Sequence, residues 1–443
     1  MKKLKLAICL LSVVAIAGIS SCGSKNNNNS SNSGSKVVKP EPEEPTTPPD
    51  SPEDDEPVVT FTRSNHSITN IKVETPKTEI DELVIPDEID ETTITSLDWR
   101  CFSDSSLRNK RIKKLVIGKN INEISFYDTK NKILDIEISS VDSKFVKSGK
   151  FVTSKDFKTL YWAAPNFEIS ELPSTIEVLD EYSFINYTSS SLTLPSQIKT
   201  LENNAIPNAI DTVILNEGLT TIGSSSLHVK YITVPTTVTS LVYSSFGNDV
   251  ITISVAAGNT KYDSRNGCNM VIETATNKVV CVSKTFNFND STITRIGGSA
   301  FGYTYAFTSL TIPNTVTKID YGAFRSCYWL ESINLPSNVD IYNGNTKATD
   351  LAEIIYGCGA LKSFSCPNTI TELKLKNYGL NNLEKIYIPV LTSIEADCFA
   401  NTPKLTKIYT KMTQAQWEAL NYQDTSDRLK DIEIIYNSTS IGS

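Results

Sequence analysis

The sequence predicts a mainly β repeat solenoid, and three observations predict it. Within residues 296–337 three features recur after 23 residues: Ile296 and Ile319, the pairs Ala300-Phe301 and Ala323-Phe324, and the steps Ile312-Pro313 and Leu335-Pro336. An interval of this size marks stacked supersecondary units, none of which can bury its apolar face alone. A second spacing holds elsewhere: Pro173 leads to Phe184, Pro195 to Ile206, Pro235 to Phe246 and Pro313 to Phe324, always by eleven, and Asn216 leads to Leu227 without the proline. Finally, the apolar runs are short. Leu310 and Ile312 alternate about Thr311 like one face of a strand, and Pro313, with no N–H to donate, ends the pairing. Length here counts turns of a spiral rather than ordinary domains.

Taken in order, residues 1–21 have the three parts of a secretory signal: basic Lys2, Lys3 and Lys5, the apolar run 6–19, then small residues. The run is too short for a convincing membrane span. Ile19-Ser20-Ser21-Cys22 resembles the bacterial lipobox, which implies that Cys22 carries the lipid anchor; two or three acyl chains, at about 0.8 kcal/mol per buried methylene, hold firmly. Residues 22–57 then form a tether, an Asn/Ser run followed by a Pro/acidic segment too poor in apolar residues to fold. Gly23 in place of Asp lacks the retention signal for the inner membrane, so an outer-membrane lipoprotein facing the cell exterior is the expectation.

The folded part is expected over residues 58–443, with a capping pair of strands in 58–82 and a first unit running from Leu83-Val84-Ile85-Pro86 to Cys101-Phe102, stretched by an insertion at 90–93. One coil is legible in residues 310–330. Asn314-Thr315 turns the chain, Val316 and Ile319 point inward, and the small Ala323 lets Phe324 pack deep before Cys327 and Leu330 close the coil. Segments 141–165 and 262–283 each hold two apolar runs around a polar turn and read as β-hairpins projecting from the spiral. Residues 338–350 form a third, polar insertion. At the end (411–437), Thr413 and Gln416 have capping-box spacing ahead of a short helix, and Ile432, Ile434 and Tyr436 alternate as a last strand.

The letters TIPNTVTKIDYGAF and INLPSNV, the run Gly322 to Cys327, the opening unit VIPDEIDETTITSLDWRCF and the tail TQAQWEAL resemble the BspA-like, Treponema-type leucine-rich repeat proteins. The resemblance covers residues 61–436, and it implies a right-handed spiral of leucine-rich-repeat type. Asn216-Glu217 for the usual proline step, Cys366 for its aliphatic partner and the degenerate turn at 373–378 depart from the pattern. The resemblance further implies a non-catalytic surface protein of a host-associated bacterium, serving adhesion or protein–protein interaction with host or other bacterial surfaces; the alternative is a surface glycan-binding lipoprotein.

Chemistry is sparsely encoded. The net charge of −8 is uneven, with eight acidic residues in 40–57 and no basic stripe in the body, so nucleic acid is not an expected partner. The two histidines, His66 and His228, sit in no HExxH, and neither GxSxG, P-loop nor GxGxxG occurs; no enzyme, cofactor or metal is expected. Seven cysteines remain in the body without CxxC pairs and read as buried small residues. Cys268 and Cys281 bracket the second hairpin, and whether they pair is open. The segment from Phe301 to Leu310 reads as longer than that from Phe324 to Leu330, the extra residues bringing Tyr303 and Tyr305, with Tyr328 and Trp329 at the matching turn of the next coil. Facing outward, these four make a platform for sugar rings or protein hot spots; otherwise they cover the solenoid edge. The protein is expected to be monomeric, held to the membrane through its N-terminal lipid.

Overall fold

The computed structural model describes residues 56–140, 143–304 and 307–442. The expected signal segment 1–21, Cys22, the tether before residue 56, Val141 and Tyr305 lie outside the described residues. The body is a mainly β solenoid of about 14 turns with very little helix.

Stacking follows from each coil repeating the same residue types at three positions. The first is an aliphatic residue in a very short strand: Leu179, Leu201, Ile222 and Leu241 pair in parallel succession, as do Ile296, Ile319 and Ile341. The second lies across the coil, where Leu310, Ile333, Phe364, Ile386, Ile408 and Ile434 form one parallel ladder. The third is a corner at which Phe184, Ile206, Leu227, Phe246, Phe301 and Phe324 are buried. Corner N–H groups donate to the next coil, from Phe184 to the Ala205 carbonyl at 3.0 Å and from Phe324 to that of Ile354 at 2.9 Å. Backbone polar groups thus find partners although the strands of these two ladders are very short.

The turn into the corner explains the small residue before it. Tyr182, Asn204, Ser225, Ser299, Gly322 and Asp397 take φ between 51° and 61°, the left-handed region that swings the chain inward. The next side chain faces the core at close quarters and is small: Ser183, Ala205, Ser226, Ala300, Ala323 or Cys398. At Ser226 the hydroxyl donates to a carbonyl of the preceding coil, that of Glu202, at 2.8 Å. Ser245, ahead of Phe246, donates to Ile222 at 2.9 Å. At the proline step the Val316 N–H closes a turn on the Pro313 carbonyl at 3.0 Å. Asn216, lacking the proline, sends its side-chain amide to the Pro195 carbonyl at 2.7 Å and so ties its coil to the one before.

Two sequence expectations are corrected. Leu310 pairs with Ile333, not Leu330, so the segments after Phe301 and Phe324 are equal in length and no tyrosine-bearing insertion exists. Tyr303, with φ 61°, takes the place that Ser326, with φ 57°, holds one coil later. The hairpins, moreover, do not project. Strands Phe145–Ser148, Phe151–Ser154 and Thr159–Ala163 form an antiparallel group whose last strand starts the parallel ladder at Val178–Leu179. Strands Tyr262–Asp263, Met270–Glu273 and Lys278–Val282 do the same ahead of Arg295–Ile296.

Both hairpins run through the spiral as walls. Phe151 and Leu160 pack in the middle hydrophobic cluster while Val152 and Trp162 pack in the N-terminal one; Val271 and Cys281 face the middle cluster while Met270, Ile272 and Cys268 face the C-terminal one. Side chains of a strand alternate between faces, so Cys268 and Cys281 lie on opposite sides of a wall, and both are free thiols. The ends are covered. Val58–Ser64 pairs antiparallel with Ser67–Glu74, and at the far end Thr413 and Gln416 make a reciprocal capping box before the helix Gln414–Glu418, which buries Trp417. The strand Glu433–Ile435 closes the second ladder.

Candidate functional site

The second wall opens a cleft. Its hairpin adds strands to the first ladder but has no corner of its own, so the corner ladder running Ile206, Leu227, Phe246 halts and resumes at Phe301, whose N–H donates to the Ala323 carbonyl at 3.0 Å. The edge is partly closed where the Lys284 N–H donates to the Val250 carbonyl at 2.9 Å and the Thr285 hydroxyl to that of Ile251 at 2.6 Å. What remains is a cavity of about 330 Å³ lined by Ser224, His228, Tyr243, Phe246, Lys284 and Tyr303 among others.

The first wall shows why this gap is particular to the second. Register places Trp162 opposite Val152 in one hairpin and Cys281 opposite Val271 in the other, which makes the two positions equivalent. Trp162 is fully buried, its ring 6.2 Å from that of the corner residue Phe126. Asn186 completes the seal, accepting from the Asn131 N–H at 2.8 Å and donating to the Ala163 carbonyl at 2.8 Å. At the second wall the side chain is a cysteine, and the space beside Phe246 stays open.

The electrostatics of the cleft are nearly neutral. Burial lowers the pKa of His228 from its usual value, against a smaller opposing pull from Asp249, so the imidazole is uncharged near neutrality. Gly247 lies against that ring: a Cβ there would come within 2.6 Å of His228 Nδ1. Lys284 is tied to Asp249 at 2.8 Å, and this bond holds the Asp249 carboxyl below the usual carboxylate range. The Ser224 and Ser244 hydroxyls share a hydrogen bond at 2.7 Å. Tyr243 and Tyr303 are 36% and 38% exposed and present ring surface at the mouth. The cleft therefore offers hydroxyls, a neutral imidazole and two aromatic rings. Cys281 in the wall is no nucleophile, since burial pushes its thiol up to about 12.

Of the residues singled out in the sequence, Tyr303 reaches this cleft, and Tyr328 and Trp329 stand exposed one coil on, at 45% and 59%. Sequence reasoning missed His228 and Tyr243, which no motif connects to Tyr303. It also missed a ridge near the other end: Trp99 and Tyr127 meet edge to face at 5.1 Å, and Tyr127 and Tyr182 at 5.4 Å. These three occupy different places in their coils, so no spacing reveals them. Among the described residues no group of three or more His, Cys, Asp or Glu is placed to hold a metal ion, and no helix is long and apolar enough to cross a membrane.

Coils and walls define a leucine-rich repeat scaffold with an extended surface. The BspA type leucine rich repeat region matches residues 156–263, 280–357 and 352–443 in six copies, more than half the sequence, and the chain belongs to this family. It is similar in fold to a leucine rich cell surface protein of Faecalibacterium prausnitzii, at 19% identity over 85% of this chain and 99% of that one, with a TM-score of 0.47. The pneumococcal vaccine antigen PcpA shares 14% identity over 87% of this chain and 98% of its own, with a TM-score of 0.44. A leucine-rich repeat protein of Eubacterium ventriosum shares 17% over 66% and 94%, with a TM-score of 0.41. None of the curated proteins matches the sequence.

Proposed function

We propose that the chain is a non-catalytic surface lipoprotein, tethered through Cys22 to the outer membrane and facing the cell exterior, that binds proteins of host or other bacterial surfaces. The observation that carries the reading is the outward display of Tyr328 and Trp329 on a coil whose core residues Ile319, Phe324 and Leu330 are fully buried. Large aromatics held on a rigid frame lose little entropy on docking and are the side chains most often found at energetic centres of protein interfaces. Membership of the repeat family supports a protein-binding role. Lipid attachment draws on the lipobox-like run ending at Cys22.

The test measures adhesion of the purified chain to immobilised extracellular-matrix proteins and to whole bacteria, with Tyr328→Ala and Trp329→Ala alongside. The proposal expects saturable binding to at least one target that falls at least tenfold in one variant. Binding to none, or binding indifferent to both changes, rejects this surface. Membrane attachment is tested separately: Cys22→Ala should release the protein from the membrane fraction and abolish incorporation of labelled fatty acid. Protease treatment of intact cells should degrade the body, and complete protection would refute exterior placement.

A further inference from the structure

We infer that the cleft at the second wall is a binding site for a neutral sugar, one or two rings in size. Its volume, about 330 Å³, lies at the lower end of the range for small-ligand sites. The lining decides the class. A charged ligand would have to compete for Lys284, which Asp249 already holds at 2.8 Å, and would meet an imidazole kept uncharged by burial. A purely apolar ligand would cover the polar atoms of His228, Tyr243 and Tyr303, which line the cavity, and burying a polar group without a partner is costly. A sugar satisfies both demands, because its C–H face lies on an aromatic ring while its hydroxyls exchange hydrogen bonds with hydroxyls and imidazole. Tyr243 and Tyr303 are positioned at the mouth to supply the ring.

The way the cleft is built supports a retained opening. Both walls interrupt the corner ladder, yet only the first is plugged, by Trp162 against Phe126. At the second wall the equivalent residue is Cys281, and His228 lines the opening. A partly buried, neutral imidazole can both donate to and accept from a hydroxylated ligand. This site differs from the protein-binding surface proposed above, since neither Tyr328 nor Trp329 lines the cleft.

The experiment is saturation-transfer NMR on the full chain with glucose, galactose, mannose, N-acetylglucosamine, N-acetylgalactosamine, lactose and cellobiose, and with glucuronate and sialic acid as anionic counterparts. At least one neutral sugar should bind saturably. Tyr243→Ala and His228→Ala should weaken it at least tenfold, while Lys284→Gln changes it less than twofold. Trp329→Ala, which acts at the protein-binding surface, should leave it unchanged. Tyr243→Phe and His228→Gln, which keep the packing, serve if an alanine variant does not fold; each should weaken binding at least threefold. Binding of the anionic sugars alone, a tenfold loss in Lys284→Gln, survival of binding in the cleft variants, or no sugar binding at all overturns the assignment.

Discussion

The coil around Phe324 holds both a fully buried core and the exposed Tyr328 and Trp329, and a pair of substitutions separates them. Phe324 has no exposed surface; its ring lies 5.3 Å from that of Phe301, and its N–H donates to the Ile354 carbonyl at 2.9 Å. Truncation to alanine removes the buried ring and leaves a cavity between stacked coils that cannot collapse without shifting both ladders. Such a change costs about 3–5 kcal/mol. Trp329, five residues on, is 59% exposed, and Trp329→Ala should cost no more than about 0.5 kcal/mol, as surface changes do. Denaturant unfolding followed by far-UV circular dichroism gives both numbers. In a solenoid each coil depends on its neighbours, so the Phe324→Ala loss should also appear as fraying of the adjacent coils. Equal stability of the two variants would refute the assignment of Phe324 to the corner ladder.

Other consequences are as direct. Gly322 has φ 61° and room for a methyl group, its nearest neighbour to a built Cβ being 3.5 Å away, so Gly322→Ala should cost about 1–2 kcal/mol from backbone strain alone. Ser299→Gly, at φ 55°, should stabilise for the same reason, and thermal melts of the two variants should move in opposite directions. His228 has a folded pKa depressed by burial, so its contribution is present above 6.5 and is lost as pH falls through the folded value. The wild type should therefore lose stability relative to His228→Gln as pH falls below 6.5; parallel pH profiles would contradict the buried, neutral imidazole. Cys268 and Cys281 should each react with a maleimide after denaturation without reductant, and a disulfide-linked peptide containing both would contradict their placement on opposite faces of the wall.

The ladder was legible because burial dictates its letters. Ile296 and Ile319 recur at the distance at which their strands pair, and Phe184, Ile206 and Phe324 keep their spacing from the proline step. Phase was harder to read: Leu330 imitates a strand residue, and only pairing shows that Ile333 is the partner of Leu310. The burial of the hairpins had a signal, since Met270-Val271-Ile272 and Val279 to Val282 are continuous apolar runs, the pattern of strands covered on both faces rather than one. The cleft had none. His228, Tyr243, Lys284 and Tyr303 come from separate coils and meet only because a wall without a corner leaves a gap.

Both walls divide the core, and the second opens the cleft. Hydrogen exchange read by mass spectrometry tests them most directly. Amides of Met270–Glu273 and Lys278–Val282 should exchange as slowly as those of Arg295–Ile296 and Lys318–Asp320, with which they share one sheet. Exchange of the hairpin within seconds, while the ladder stays protected, would show that it stands outside the spiral and would contradict the account.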